Sequence, residues 1–86
     1  MVLDGTIINE NGITFAVVQV NPENLFNKFE ADLTKRNLVK FFPHMHIVLM
    51  SENDQCEKIF YGRPDIVKIL KSVYPSEVPV SRFTFE

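Results

Sequence analysis

The stretch from Ile13 to Val20 carries apolar side chains at both strand parities, with Phe15 and Val17 on one side and Ala16, Val18 and Val20 on the other. Successive side chains of a strand leave on opposite faces, so a strand of this kind has to be covered on both. It is expected to be a central strand. It is preceded by Thr6-Ile7-Ile8 and separated from it by Asn9-Glu10-Asn11-Gly12. Asn-Gly tolerates positive φ at two successive positions and so reads as the turn of a hairpin.

After the hairpin, Asn21-Pro22-Glu23 has the marks of a helix start: Asn as N-cap, Pro in the first turn, and an acid near the positive end of the helix dipole. Leu25, Phe26, Phe29 and Leu33 then form one apolar stripe at helical spacing, expected to face the core, with Lys28, Glu30, Asp32 and Lys35 in water. Asn37 either ends this helix or bends it, because Leu38, Phe41 and Phe42 continue the spacing as far as Pro43. His44 to Met50 reads as another buried strand, and Cys56 to Tyr61, beyond a polar turn, as the second arm of a hairpin. Gly62-Arg63-Pro64-Asp65 opens a second helix, whose apolar face is Ile66, Val67, Leu70, Val73 and Tyr74, and Pro75 stops it. In the tail, residues 75–86, Phe83 and Phe85 alternate with Arg82 and Thr84, a pattern that can add an edge strand to an otherwise extended or partly flexible segment.

The expected fold is a single α+β domain over residues 1–86, hairpin-helix-hairpin-helix (ββαββα) with an optional C-terminal edge strand. Two helices cover a mixed or antiparallel sheet. The chain's 86 residues allow one core, and a chain so short buries only about 60% of its unfolded surface. An apolar fraction of 45% with eight Phe makes that core dense or leaves a surplus for a partner. Nine basic against eleven acidic residues argue against a general polyanion binder. One cysteine, Cys56, cannot form an internal disulfide, and no apolar run approaches the about 18 residues of a membrane span, so a cytoplasmic protein is expected.

Chemistry is sparsely signposted. Three glycines at 5, 12 and 62 form no phosphate-cradling loop, and no serine stands between glycines in a nucleophile elbow. No catalytic motif and no cofactor follow from the residues. His44 and His46, two apart on a strand, would share a face and are the candidate metal ligands, with Glu52, Asp54 or Cys56 as conceivable additions. The commoner role of such a pair is at a strand entry beside solvent, and that of a lone Cys56 flanked by Glu57 and Lys58 is a small packed side chain.

Residues 35–46 hold Lys35, Arg36, Lys40, Phe41 and Phe42 without an acid, and Lys58, Arg63, Lys68 and Lys71 make a second local excess of positive charge. Converging, these would serve a nucleic acid. Apart, they are solvated cations around a core. Tyr61-Gly62-Arg63-Pro64-Asp65 is the most distinctive string. It reads either as a well-capped turn or as a display of Tyr61 and Arg63 for a carboxylate or phosphate.

The sequence from Phe15 to Leu70, about two-thirds of the chain, runs strand, Asn-Pro-Glu helix start, Pro43 before an apolar strand, hairpin, and Gly62 before a last helix. In that order it resembles the second half of the thioredoxin-like fold. The Cys-x-x-Cys motif of that family is absent, so disulfide exchange does not carry over. The functional expectation is a cytosolic, non-enzymatic interaction module, its self-association resting on the aromatic surplus at Phe41, Phe42, Phe83 and Phe85 or on a sheet edge. The alternative is a small nucleic-acid-associated regulator using residues 35–46 and Arg63.

Overall fold

The computed structural model describes residues 2–25, 27–55, 57–74 and 78–85. Strands β1 (Val2–Glu10) and β2 (Ile13–Gln19) are antiparallel and joined by the Asn11-Gly12 turn, both residues at positive φ, 54° and 76°. A 3-10 turn, Pro22–Leu25, leads into α1 (Lys28–Leu38), a second 3-10 turn (Val39–Phe41), and then β3 (His46–Glu52) and β4 (Lys58–Tyr61). Helix α2 (Pro64–Val73) and strand β5 (Ser81–Thr84) complete the chain. The result is a small α+β domain with two helices and a five-stranded mixed sheet in the order β4-β3-β2-β1-β5, in which β2 and β3 are parallel and the other pairs antiparallel. The chain order is therefore ββαββαβ: β5 hydrogen-bonds to β1 and is an integral strand.

The alternation in β2 divides the core as expected. Phe15 and Val17 join Val48 and Met50 of β3 under Ile66 and Leu70 of α2. Ala16 and Val18 join Ile47 and Leu49 under Ala31 and Leu38 of α1. The sheet is thus the middle of three layers, and β2 with β3 forms its buried centre. Where α1 does not reach, four phenylalanines close the corner between the second 3-10 turn and β5. Phe42 meets Phe83 and Phe85 edge-on at centroid distances of 5.9 and 5.6 Å, and Phe41 lies 4.7 Å from Phe85. Phe42 is buried. Most of this aromatic surplus is spent inside the domain, and the group is not an exposed patch.

Two local expectations are corrected. The α-helix starts at Lys28, six residues after Pro22, because Asn27 is the true cap: its extended backbone is followed by a 2.8 Å hydrogen bond from the Glu30 N–H to its side-chain oxygen. Asn27 and Glu30 have the three-residue spacing of a capping pair. The second correction concerns the stripe. Phe29 and Leu33 point outward, 74% and 41% exposed, and Ala31 and Leu38 take the buried side. Phe26, Cys56 and Pro75 lie outside the described residues.

Gly5 is constrained by the sheet. A Cβ here would collide with the Val17 carbonyl oxygen of β2, so the residue lets β1 pass close to its neighbour.

Candidate functional site

Helix α1 is the element around which accessible functional groups gather, and it presents three surfaces. Its buried line, Ala31 and Leu38, is seven residues apart and therefore on one side. The opposite ridge carries Phe29, Leu33 and Arg36. One flank turns to β4, the other to β1 and the end of β2.

On the β4 flank, Tyr61 donates its hydroxyl to Asp32 Oδ1 at 2.7 Å, and the ammonium of Lys35 sits 5.6 Å from the centre of the Tyr61 ring. This ties α1 to the sheet edge through a side-chain bridge spanning 29 positions of sequence. The hydrogen bond to Asp32, then desolvation, then the carboxylate's negative charge raise the Tyr61 hydroxyl above its ordinary range, since each favours the neutral phenol.

Past the end of β4, Arg63 closes a fork on its neighbour Asp65, Nε to Oδ1 at 3.2 Å and Nη2 to Oδ2 at 2.8 Å, and its Nη1 lies 3.1 Å from His46 Nε2. A guanidinium only donates, so His46 Nε2 is the acceptor in this contact. Desolvation pulls the Asp65 carboxyl upward, but hydrogen bonds from Arg63 and the Ile66 N–H, with the Arg63 charge, outweigh it and hold the group below its usual range. The bidentate capacity that made Arg63 a candidate anion clamp is thus engaged by its own chain.

The paired-histidine geometry does not form. His44 precedes β3 in a turn at φ 66°, and only His46 belongs to the strand, so the two do not share a strand face. Among the described residues no group of three or more His, Cys, Asp or Glu is placed to hold a metal ion.

The third surface is a cleft of about 680 Å³ between α1, the first residues of β1 and the chain leaving β2. Three asparagines border it: Asn21 just past β2, Asn24 in the 3-10 turn, and Asn37 on α1. None of the three side chains has a hydrogen-bond partner among the described residues. Leu3, Val20 and Leu38 give it an apolar floor, and at its border lie Lys40 and Asp4, the latter paired with Arg82 at 3.4 Å. Lys40 also rests 5.1 Å from the centre of the Phe41 ring, and Phe41 borders the cleft.

The residues singled out by sequence therefore separate. Lys40 and Phe41 belong to the cleft, Lys35 and Tyr61 to the opposite flank of α1, Arg63 to the β4–α2 turn, Phe42 to the core, and Arg36 to the outer ridge. They do not form one basic surface. The asparagines were not legible as a group, because three scattered Asn in a loop, a turn and a helix look like ordinary surface residues until the fold gathers them.

Among the described residues no helix is long and apolar enough to cross a membrane. A scan against protein-family models finds no match, and neither a search of curated proteins nor one of solved structures finds a significant one.

Proposed function

We propose that this chain is a cytosolic, non-enzymatic interaction module that self-associates through the outward ridge of α1. The observation that carries the reading is Phe29, 74% exposed on a regular helix, with Leu33 one turn on at 41%. An aromatic and an aliphatic side chain stacked on a helix surface are the kind of anchor that association desolvates. Burying such a side chain stabilises a complex by about 1.5–3 kcal/mol.

Charge favours a second copy of the same chain as the occupant. Glu30 lies in the first turn of α1 and Arg36 in the last. Two α1 helices packed antiparallel about a two-fold axis near Leu33 bring Glu30 of each opposite Arg36 of the other, with Phe29 beside the Arg36 stem. The small net charge of −2 opposes association little.

Sedimentation equilibrium tests this. The chain is expected to dimerise at micromolar concentration. Phe29→Ser should weaken the dimer by about tenfold or more, a loss of at least about 1.4 kcal/mol. Arg36→Glu should weaken it, and Glu30→Arg combined with Arg36→Glu should restore it. A wild-type monomer at high micromolar concentration, or a dimer indifferent to Phe29→Ser, overturns the reading.

A further inference from the structure

The cleft beside α1 is independent of that ridge, and we infer that it is a binding site for a neutral, polyhydroxylated ligand, a short saccharide. Three properties lead there. First, its size, about 680 Å³, falls within the roughly 300–1,000 Å³ of small-molecule sites.

Second, its hydrogen-bonding groups are of one chemical kind. Asn21, Asn24 and Asn37 converge from the chain after β2, the 3-10 turn and α1, and none is committed to an intramolecular partner among the described residues. A carboxamide offers two donors and an acceptor oxygen in one plane. A ring of such groups complements a ligand whose own groups each donate and accept, which describes a hydroxyl. Thr34 adds to this: its hydroxyl donates to the Glu30 carbonyl at 2.9 Å, leaving its oxygen to accept.

Third, each charge at the cleft is engaged within the chain. Arg82 holds the Asp4 carboxylate at 3.4 Å, and the Lys40 ammonium rests over the Phe41 ring at 5.1 Å. Ionic ligands gain little, and a neutral one loses nothing. The floor of Leu3, Val20 and Leu38 suits the C–H faces of a pyranose ring, which a polyol-binding site needs as much as its hydrogen bonds.

The test is titration of the full isotope-labelled chain with maltose, cellobiose and diacetylchitobiose, reading the side-chain NH₂ resonances of Asn21, Asn24 and Asn37 by NMR, with adenosine and trialanine as contrasts. At least one disaccharide is expected to shift those resonances saturably, with millimolar or tighter affinity. Asn21→Ala and Asn37→Ala should each weaken that binding about tenfold, the loss expected when a pair of hydrogen bonds is removed. Both positions are exposed, so circular dichroism should be unchanged. Gln55→Ala, on the β3–β4 turn, should bind like the wild type. No saturable shift with any of the three disaccharides, shifts with adenosine or trialanine alone, or full binding by the Asn21 and Asn37 variants would each overturn the assignment. Phe29→Ser separates the two proposals, since it should weaken association and leave this titration intact.

Discussion

Helix α2 buries Ile66 and Leu70 completely against Phe15, Val17, Val48 and Met50, whereas α1 turns Phe29 and Leu33 to solvent and docks through Ala31 and Leu38. Both helices cover the same two central strands, from opposite sides. The difference lies in what each interface asks for. The α2 face is filled by Ile66 and Leu70 from the helix itself with Val67 and Tyr74 packed beside them; of its expected apolar stripe only Val73, at the helix end, turns outward, 41% exposed. The α1 face already receives Ala16, Val18, Ile47 and Leu49 from the sheet and an aromatic group from Phe41, Phe42, Phe83 and Phe85 at its margin. There the helix comes in on a small residue, Ala31, and its largest apolar side chains are left over. Periodicity detects a stripe. Which stripe is buried depends on the space between the layers.

The sharpest way to break the contrast is to truncate corresponding positions. Leu70→Ala should cost about 2–5 kcal/mol, because Leu70 is fully buried and its loss leaves a cavity; urea denaturation measures it. Enlarging the α1 contact should hurt less but clearly. Ala31→Leu is expected to lose about 1–3 kcal/mol by overpacking, and a neutral or stabilising result would mean that the α1 interface has room after all.

Smaller effects sharpen the reading of α1. Asn27→Ala should remove about 1 kcal/mol with the cap, whereas Asn21→Ala should change stability far less; equal effects would return the helix start to Asn21. Phe29→Ala, at concentrations where the chain is monomeric, should stay within about 0.5 kcal/mol of wild type. A cost comparable to that of Leu70→Ala would refute the exposed ridge.

The smallest effect is a titration. The Tyr61 pKa is raised in the fold by its hydrogen bond to Asp32, by desolvation and by the carboxylate's charge. The stabilisation linked to a raised pKa is complete below the unfolded value of about 10 and is lost as pH rises through the folded one. Asp32→Asn should bring Tyr61 ionisation back toward about 10, read from its ring resonances, and should flatten stability in that alkaline window. An unchanged Tyr61 titration would mean the bridge between α1 and β4 does not persist in solution.

Elements whose stability is local were legible. The Asn11-Gly12 hairpin, the doubly apolar β2, the Pro64-Asp65 helix start and the Ile66–Leu70 face all depend on neighbours within a few positions. The errors arose where two local signals competed or where distant segments decide. Asn21-Pro22 and Asn27-x-x-Glu30 are both respectable helix starts, and the chain uses the first for a 3-10 turn and the second for the α-helix. His44 and His46 lost their common face because His44 takes a left-handed turn before the strand begins. At the candidate site, Lys40 and Phe41 were visible as residues, but the company they keep was not. Asn21 and Asn24 approach Asn37 only because β2 and α1 are folded over each other.

The sequence by itself determined the alternation of β2, the turn that pairs it with β1, the approximate place of both helices and the want of a phosphate loop, since each follows from side-chain parity, backbone permissiveness or composition. Only the tertiary structure decided that β2 and β3 run parallel, that β5 joins β1, that Phe29 faces outward and that three asparagines share a cleft. Those outcomes depend on how layers share limited volume and on contacts between residues far apart in the chain, and neither quantity is written in any short window of residues.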